Sequence, residues 1–157
     1  YANKGICLAT QQIGCEDQFC VVDIGVQAQE TSPDYRYDGQ PPPVDQLMPL
    51  VLVTPVVKAQ SEPNTRYNEG CLSFPGILAE VIRPERIQVR FQDLNGESHE
   101  LCCDGLLSRV IQHEVDHLNG ILFIDRMDRR LVKSLHSKLK KLQRQMRNQE
   151  KHQGYKR

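Results

Sequence analysis

His113-Glu114-Val115-Asp116-His117 spells H-E-x-x-H inside a stretch patterned as a helix. Residues four apart share one helix face, so both imidazoles can turn to one metal ion with Glu114 beside them. Upstream, Glu69-Gly70-Cys71-Leu72-Ser73 offers a thiol as a third ligand. Two His and one Cys leave a fourth tetrahedral position for water, which is how catalytic rather than structural sites are built. Alone, the pentad is a weak signal, because polar helix faces match it by chance. Its flanks strengthen it: Leu106, Leu107, Val110 and Ile111 precede it, and Leu118, Ile121, Leu122 and Phe123 follow. A helix this apolar is buried, and two His and a Glu inside it are costly unless coordinated or hydrogen-bonded. Asp104-Gly105 is a start signal for it and Asn119-Gly120 a stop.

Around this helix the chain reads as short strands. Residues 18–24 (Q-F-C-V-V-D-I) and 50–57 (L-V-L-V-T-P-V-V) are β-branched apolar runs suited to buried strands, with Pro55 demoting part of the second to an edge or bulge. Residues 87–91 (I-Q-V-R-F) alternate, and Asn95-Gly96 is a hairpin turn that pairs them with residues 98–102. Strands first and helices last predict an α+β fold, mostly antiparallel sheet packed around the central metal-binding helix, with an amphipathic helix at the C-terminus. Residues 1–128 form the expected catalytic domain and 129–157 a basic helix and tail. Within the domain, residues 25–49 carry Pro33, Pro41, Pro42, Pro43 and Pro49 among polar residues and read as a long surface loop, where Tyr35 and Tyr37 are available to a peptide or partner.

Two further segments turn the metal-site reading into a family resemblance. Gly5-Ile6-Cys7-Leu8-Ala9-Thr10-Gln11-Gln12 resembles the G-x-G-L-A-A-x-Q motif of peptide deformylases; residues 69–73 (E-G-C-L-S) and 112–117 (Q-H-E-V-D-H) match that family's second and third motifs, in order. The resemblance implies Cys71, His113 and His117 as metal ligands and Glu114 as general acid and base. It implies Gln12 and the backbone N–H of Leu72 as oxyanion donors. Gly5, Ile6, Cys7 and Gly70 are the implied substrate-binding residues, with Leu106 and Val110 walling an apolar pocket for the first side chain. The implied reaction removes the formyl group from the N-terminal formylmethionine of nascent polypeptides. The implied cofactor is Fe²⁺, with Zn²⁺, Ni²⁺ or Co²⁺ as substitutes, and the implied setting is the bacterial cytoplasm, or an organelle if a transit segment precedes Tyr1.

The chain departs from the family pattern in three places. Cys7 stands where the family has Gly and Thr10 where it has Ala. A Cys side chain there narrows the cleft, sets a second thiol near the metal, or packs as a small hydrophobe. The chain also starts at Tyr1, just before the first motif, which reads as a fragment or a shortened member with apolar surface exposed. Six cysteines, two of them adjacent, fit a reduced compartment better than a disulfide framework. No run approaches the roughly 20 apolar residues of a membrane span.

Charge is distributed unevenly. The chain holds twenty basic and twenty acidic residues, yet residues 129–157 hold eleven Lys or Arg against Glu150 alone. Leu131, Leu135, Leu139, Leu142 and Met146 form one apolar stripe through that basic segment. Such asymmetry suits a polyanion, and by family analogy Lys133, Lys138, Lys140, Lys141, Arg144 and Arg147 are candidate contacts to ribosomal RNA. The alternative is a solvated face drawn to the protein's own acidic body. Two other functions compete with formyl hydrolysis. A zinc peptidase shares H-E-x-x-H but places its third ligand downstream of the helix, whereas Cys71 lies upstream. An inactive, ribosome-associated relative has no need of Glu114 and Gln12.

Overall fold

A computed structural model describes residues 5–152; the expectations attached to the chain's start and its last residues fall on 1–4 and 153–157, outside that range. Six antiparallel strands form one sheet in the order β1-β2-β4-β5-β6-β3: β1 (Cys7–Ala9), β2 (Phe19–Val22), β3 (Tyr35–Tyr37), β4 (Leu50–Gly70), β5 (Leu78–Gln92) and β6 (Ser98–Cys103). Four α-helices accompany it: α1 (Gly25–Thr31), α2 (Val44–Leu47), α3 (Gly105–Leu118) and α4 (Arg129–His152). The architecture is the α+β arrangement that the sequence leads one to expect.

The core forms because β2, β4, β5 and β6 turn alternate apolar residues inward. Cys20, Val22, Leu52, Ile87, Val89 and Leu101 are fully buried, and Leu107 and Ile111 of α3 pack onto them. The hairpin at Asn95-Gly96 sets the register Ile87↔Cys103 through Gln92↔Ser98, with Gly96 at φ 82°. At Pro55, which has no N–H to donate, the β4–β5 pairing shifts register between Val53 and Val56. Two more shifts, at Ala59/Ser61 and Ser61/Asn64, separate the strand pair into two stretches. The far stretch carries a second apolar cluster of Ile77, Ala79, Val81, Phe123 and Met127, against which Leu131, Leu135, Leu139 and Leu142 of α4 pack. Met146, the last residue of that stripe, is exposed.

One expectation is corrected. Residues 25–49 are not an irregular surface loop, for they contain α1, β3 and α2. Ala28 and Leu47 are buried in the main core, and β3 joins the sheet edge beside β6. The prolines stiffen the return: Tyr35 Oη donates to the Pro42 carbonyl at 2.6 Å, and Tyr37 packs edge-on against Phe91. Both tyrosines are thus engaged within the fold. Asp104 precedes α3 without capping it through its side chain. Its carboxylate instead accepts from the Asp34 N–H at 2.8 Å and the Arg86 guanidinium at 2.7 Å, tying the start of the helix to the edge strand.

His99 joins the same edge. Its ring lies 5.0 Å from Tyr37, and its Nδ1 is 2.7 Å from Asp38 Oδ2. The bond to Asp38 raises the His99 pKa and lowers that of Asp38. The His99 part of the stabilisation is complete below the unfolded imidazole value of about 6.5 and fades as pH rises through the raised folded value; the Asp38 part fades as pH falls through its lowered one. A His99→Gln variant should therefore lose most Tm relative to wild type near pH 6, with the gap narrowing by pH 9 in thermal melts. A gap independent of pH would show that packing alone is at stake.

Candidate metal centre and substrate cleft

The end of β4 and the middle of α3 meet at one point. Cys71 follows the last residue of β4, and its Sγ lies 3.3 Å from His117 Nε2. Cys71, His113 and His117 each bring one donor atom within 4.8 Å of the others. The two imidazole rings are 4.8 Å apart at 85°, as residues one helical turn apart permit. Every residue from Leu107 to Leu118 is buried, whereas Cys71 is half-buried where the donors meet the cleft.

The charges there are arranged for a cation. Burial opposes the Cys71 thiolate, but bonds from His113, His117 and Ser73 outweigh it and bring the thiol down to about 5. Burial likewise works against a proton on His113, and Cys71 and Glu69 overcome it, lifting that group to about 9. A metal ion takes such a proton's place. His113 Nδ1 faces Glu69 Oε2 at 3.2 Å, which leaves Nε2 for coordination. Glu69 in turn accepts from Arg83 Nε at 2.7 Å, Arg83 Nη2 at 3.0 Å and Arg109 Nη1 at 3.1 Å. Against its burial, these partners hold its carboxyl at about 2. Arg83 also donates to Asp116 at 2.6 Å, and Asp116 accepts from Arg126 at the same distance. Neither arginine belongs to a motif, and Arg83 is aimed inward only by its place on β5.

Glu114 is 1% exposed, and its Oε2 has no hydrogen-bond partner among the described residues. Burial pushes its carboxyl up, against the pull of the Cys7 thiol and both imidazoles. A thiolate, two imidazoles and an orphaned carboxylate oxygen beside them form a donor set that fits a divalent metal with an open position. Gln12 stands across the cleft. Its Oε1 accepts the Ala9 N–H at 2.9 Å, which turns Nε2 toward Ser73 Oγ at 3.2 Å and Cys71 Sγ at 3.7 Å. The turn after Cys71 uses the Phe74 N–H and not that of Leu72.

Two adjoining cavities hold the rest of the sequence-derived residues. A cleft of about 490 Å³ is lined by Gly5, Ile6, Cys7, Gln12, Gly70, Cys71, Leu72, His113 and Glu114. A side pocket of about 130 Å³ shares Ile6, Cys7, Gly70 and His113 with it and adds Leu106 and Val110. Motif reading misses the far wall of the cleft, Phe74 to Leu78, and the Tyr67, Asn68 and Arg109 side of the pocket. Arg109 lies 5.8 Å from the Tyr67 ring centroid. A Cβ on Gly70 would come within 2.7 Å of Leu78 Cδ2, so that exposed leucine would have to turn aside to admit a side chain.

The model of the polypeptide deformylase family matches residues 1–133. A peptide deformylase of Opitutus terrae is 48% identical over 139 residues, 88% of this chain and 71% of that protein. One from Prochlorococcus marinus is 42% identical over 126 residues, 80% of this chain but 54% of its own length, so the chain spans only about half of that relative. Among solved structures, a peptide deformylase from Synechococcus elongatus, in complex with actinonin, superposes with a TM-score of 0.69 at 40% identity, covering 88% of this chain and 67% of its own. An Arabidopsis thaliana deformylase in complex with an inhibitor gives 0.77 at 33% identity, covering 95% and 74%. With its three motifs gathered about one buried donor set, the chain belongs to the polypeptide deformylase family.

Proposed function

We propose that this chain hydrolyses the formyl group from N-formylmethionyl peptides, releasing formate and a free α-amine. The observation that carries the reading is the unpartnered Oε2 of Glu114 beside Cys71, His113 and His117, in one cleft with the Gln12 amide. Those three donors would hold a divalent metal, which we take to be Fe²⁺ with Zn²⁺, Ni²⁺ or Co²⁺ as substitutes, and it would supply Lewis-acid activation there. Glu114 accepts a proton from the attacking water at Oε2 and returns it to the amine nitrogen as the C–N bond breaks. Gln12 Nε2 and the Leu72 N–H hold the oxyanion of the tetrahedral carbon. The methionine side chain occupies the pocket between Ile6, Leu106 and Val110, and Gly5, Cys7 and Gly70 border the peptide's path. Every relative reported above is named a deformylase, which weighs against a zinc peptidase.

Nascent chains carry the substrate, and α4 offers a means of reaching them. With Leu131, Leu135, Leu139 and Leu142 packed on the second cluster, Lys133, Lys140, Lys141, Arg144 and Arg147 are left exposed. Lys138 is partly committed, because its ammonium donates to the Gly76 carbonyl. We assign this basic face to ribosomal RNA and the protein to the bacterial cytoplasm; no described helix is long and apolar enough to cross a membrane.

Metal-loaded, anaerobically purified protein should release formate from a formyl-Met peptide, and Glu114→Ala should keep its metal but lose nearly all turnover. Near-normal turnover in that variant removes the proposed role. Gln12→Ala should lower kcat by about a hundred- to a thousandfold with a smaller change in KM, as loss of an oxyanion donor does; a KM effect alone would assign Gln12 to ground-state binding. Ending the chain after Gln143 keeps the packed part of α4 and should spare peptide hydrolysis while weakening low-salt ribosome pelleting. Unchanged pelleting would rule out the docking surface.

A further inference from the structure

The far wall of the substrate cleft is the turn Phe74-Pro75-Gly76-Ile77-Leu78, which leads from Cys71 into β5. Gly76 bends it at φ 70°, and two backbone bonds close it. The Phe74 N–H donates to the Cys71 carbonyl at 2.9 Å, and the Ile77 N–H to the Phe74 carbonyl at 3.0 Å. The turn borders the cleft that also holds Gln12, Cys71, His113 and Glu114. Its apolar side chains are backed by α4. Ile77 is buried in the second apolar cluster, against which Phe74 packs together with Leu131, Leu135, Leu139 and Leu142 of that helix. Phe74 also meets Phe123 edge-on, with the ring centroids 5.4 Å apart.

Lys138 adds a polar tie to this packing. It lies three residues after Leu135 and one before Leu139, at the border of the leucine stripe, and its ammonium donates to the Gly76 carbonyl. A lysine so placed lays its aliphatic stem along apolar surface while its head reaches an acceptor. Apolar contact is non-directional, so leucines alone leave a turn free to slide; a hydrogen bond to one carbonyl sets where it sits. With the methionine side chain in the side pocket, the residues after it have to run through the rest of the cleft, past this wall. We infer that Lys138 is a positioning residue for peptide binding: by holding Gly76 it sets the wall along which the residues after the formylmethionine lie. Glu114 and both imidazoles stand on α3, so the wall acts on binding more than on the chemical step. The inference rests on the deformylase reading, which supplies the peptide.

The test compares Lys138→Met and Lys138→Arg with wild type, at equal metal content, on formyl-Met amide and on formyl-Met-Ala-Ser amide. Methionine keeps the stem and loses the donor, whereas arginine keeps a cationic donor. Lys138→Met should raise KM for the longer peptide about three- to tenfold, the effect of one lost hydrogen bond, with kcat held within about twofold. The rise should be smaller for formyl-Met amide, which does not extend along the wall, and Lys138→Arg should recover most of it. A second readout needs neither metal nor turnover. Amide hydrogen exchange at Ile77 in the metal-free protein should be faster in Lys138→Met than in wild type, with exchange in α3 unaltered. Unchanged KM for the longer peptide, equal rises for both substrates or in both variants, or unaltered exchange at Ile77 each overturn the inference. Absence of formate release by wild type, with the faster exchange present, would instead overturn the deformylase reading.

Discussion

The site depends on one carboxylate, that of Glu69. Both its oxygens are taken, one by Arg83 and Arg109 and the other by Arg83 and His113. Arg83, Glu69 and Arg109 are each less than a tenth exposed, so none of these charges is tolerable without the others. Removing one member of such a buried group typically costs about 3–5 kcal/mol, because it strands its partners. The cluster does more than neutralise itself. It ties the end of β4 to β5 and α3, and so holds Cys71 near both imidazoles while keeping His113 Nδ1 turned to Glu69.

Much of this was legible in the sequence, for a physical reason. The pentad within an apolar stretch could only be a buried polar helix, and its ligand spacing follows from the helix repeat. The hairpin at Asn95-Gly96 and the break at Pro55 are local backbone constraints, and both appear where local chemistry puts them. The far half of the β4–β5 pair was not legible. Residues 58–70 are polar with a proline among them, and only pairing with residues 78–87 makes them a strand. Arg83 escaped notice with them, since its inward direction follows from alternation along a strand the sequence does not announce.

Residues 25–49 show the opposite error. Prolines and polar residues there suggested an irregular loop, yet Ala28, Tyr35, Tyr37 and Leu47 anchor it at intervals. Prolines stiffen a path between anchors as readily as they break helices. On the C-terminal helix the apolar stripe was readable by spacing alone, but its partner was not, because the cluster it covers is assembled from β5 and from the residues after α3. Cys7 was visible as an exception to the first motif, whereas its place in one cleft with Glu114 emerges only when β1 is laid beside α3.

The donors come from parts of the chain that are far apart: Cys71 and His117 are 46 residues distant in sequence and 3.3 Å apart in space. An ion shared between them would act as a removable cross-link around that length of chain, closing a loop whose ends the unfolded polymer seldom brings together. Ion binding and folding would then be two sides of one equilibrium, and an ion that dissociated slowly would lend persistence to the fold.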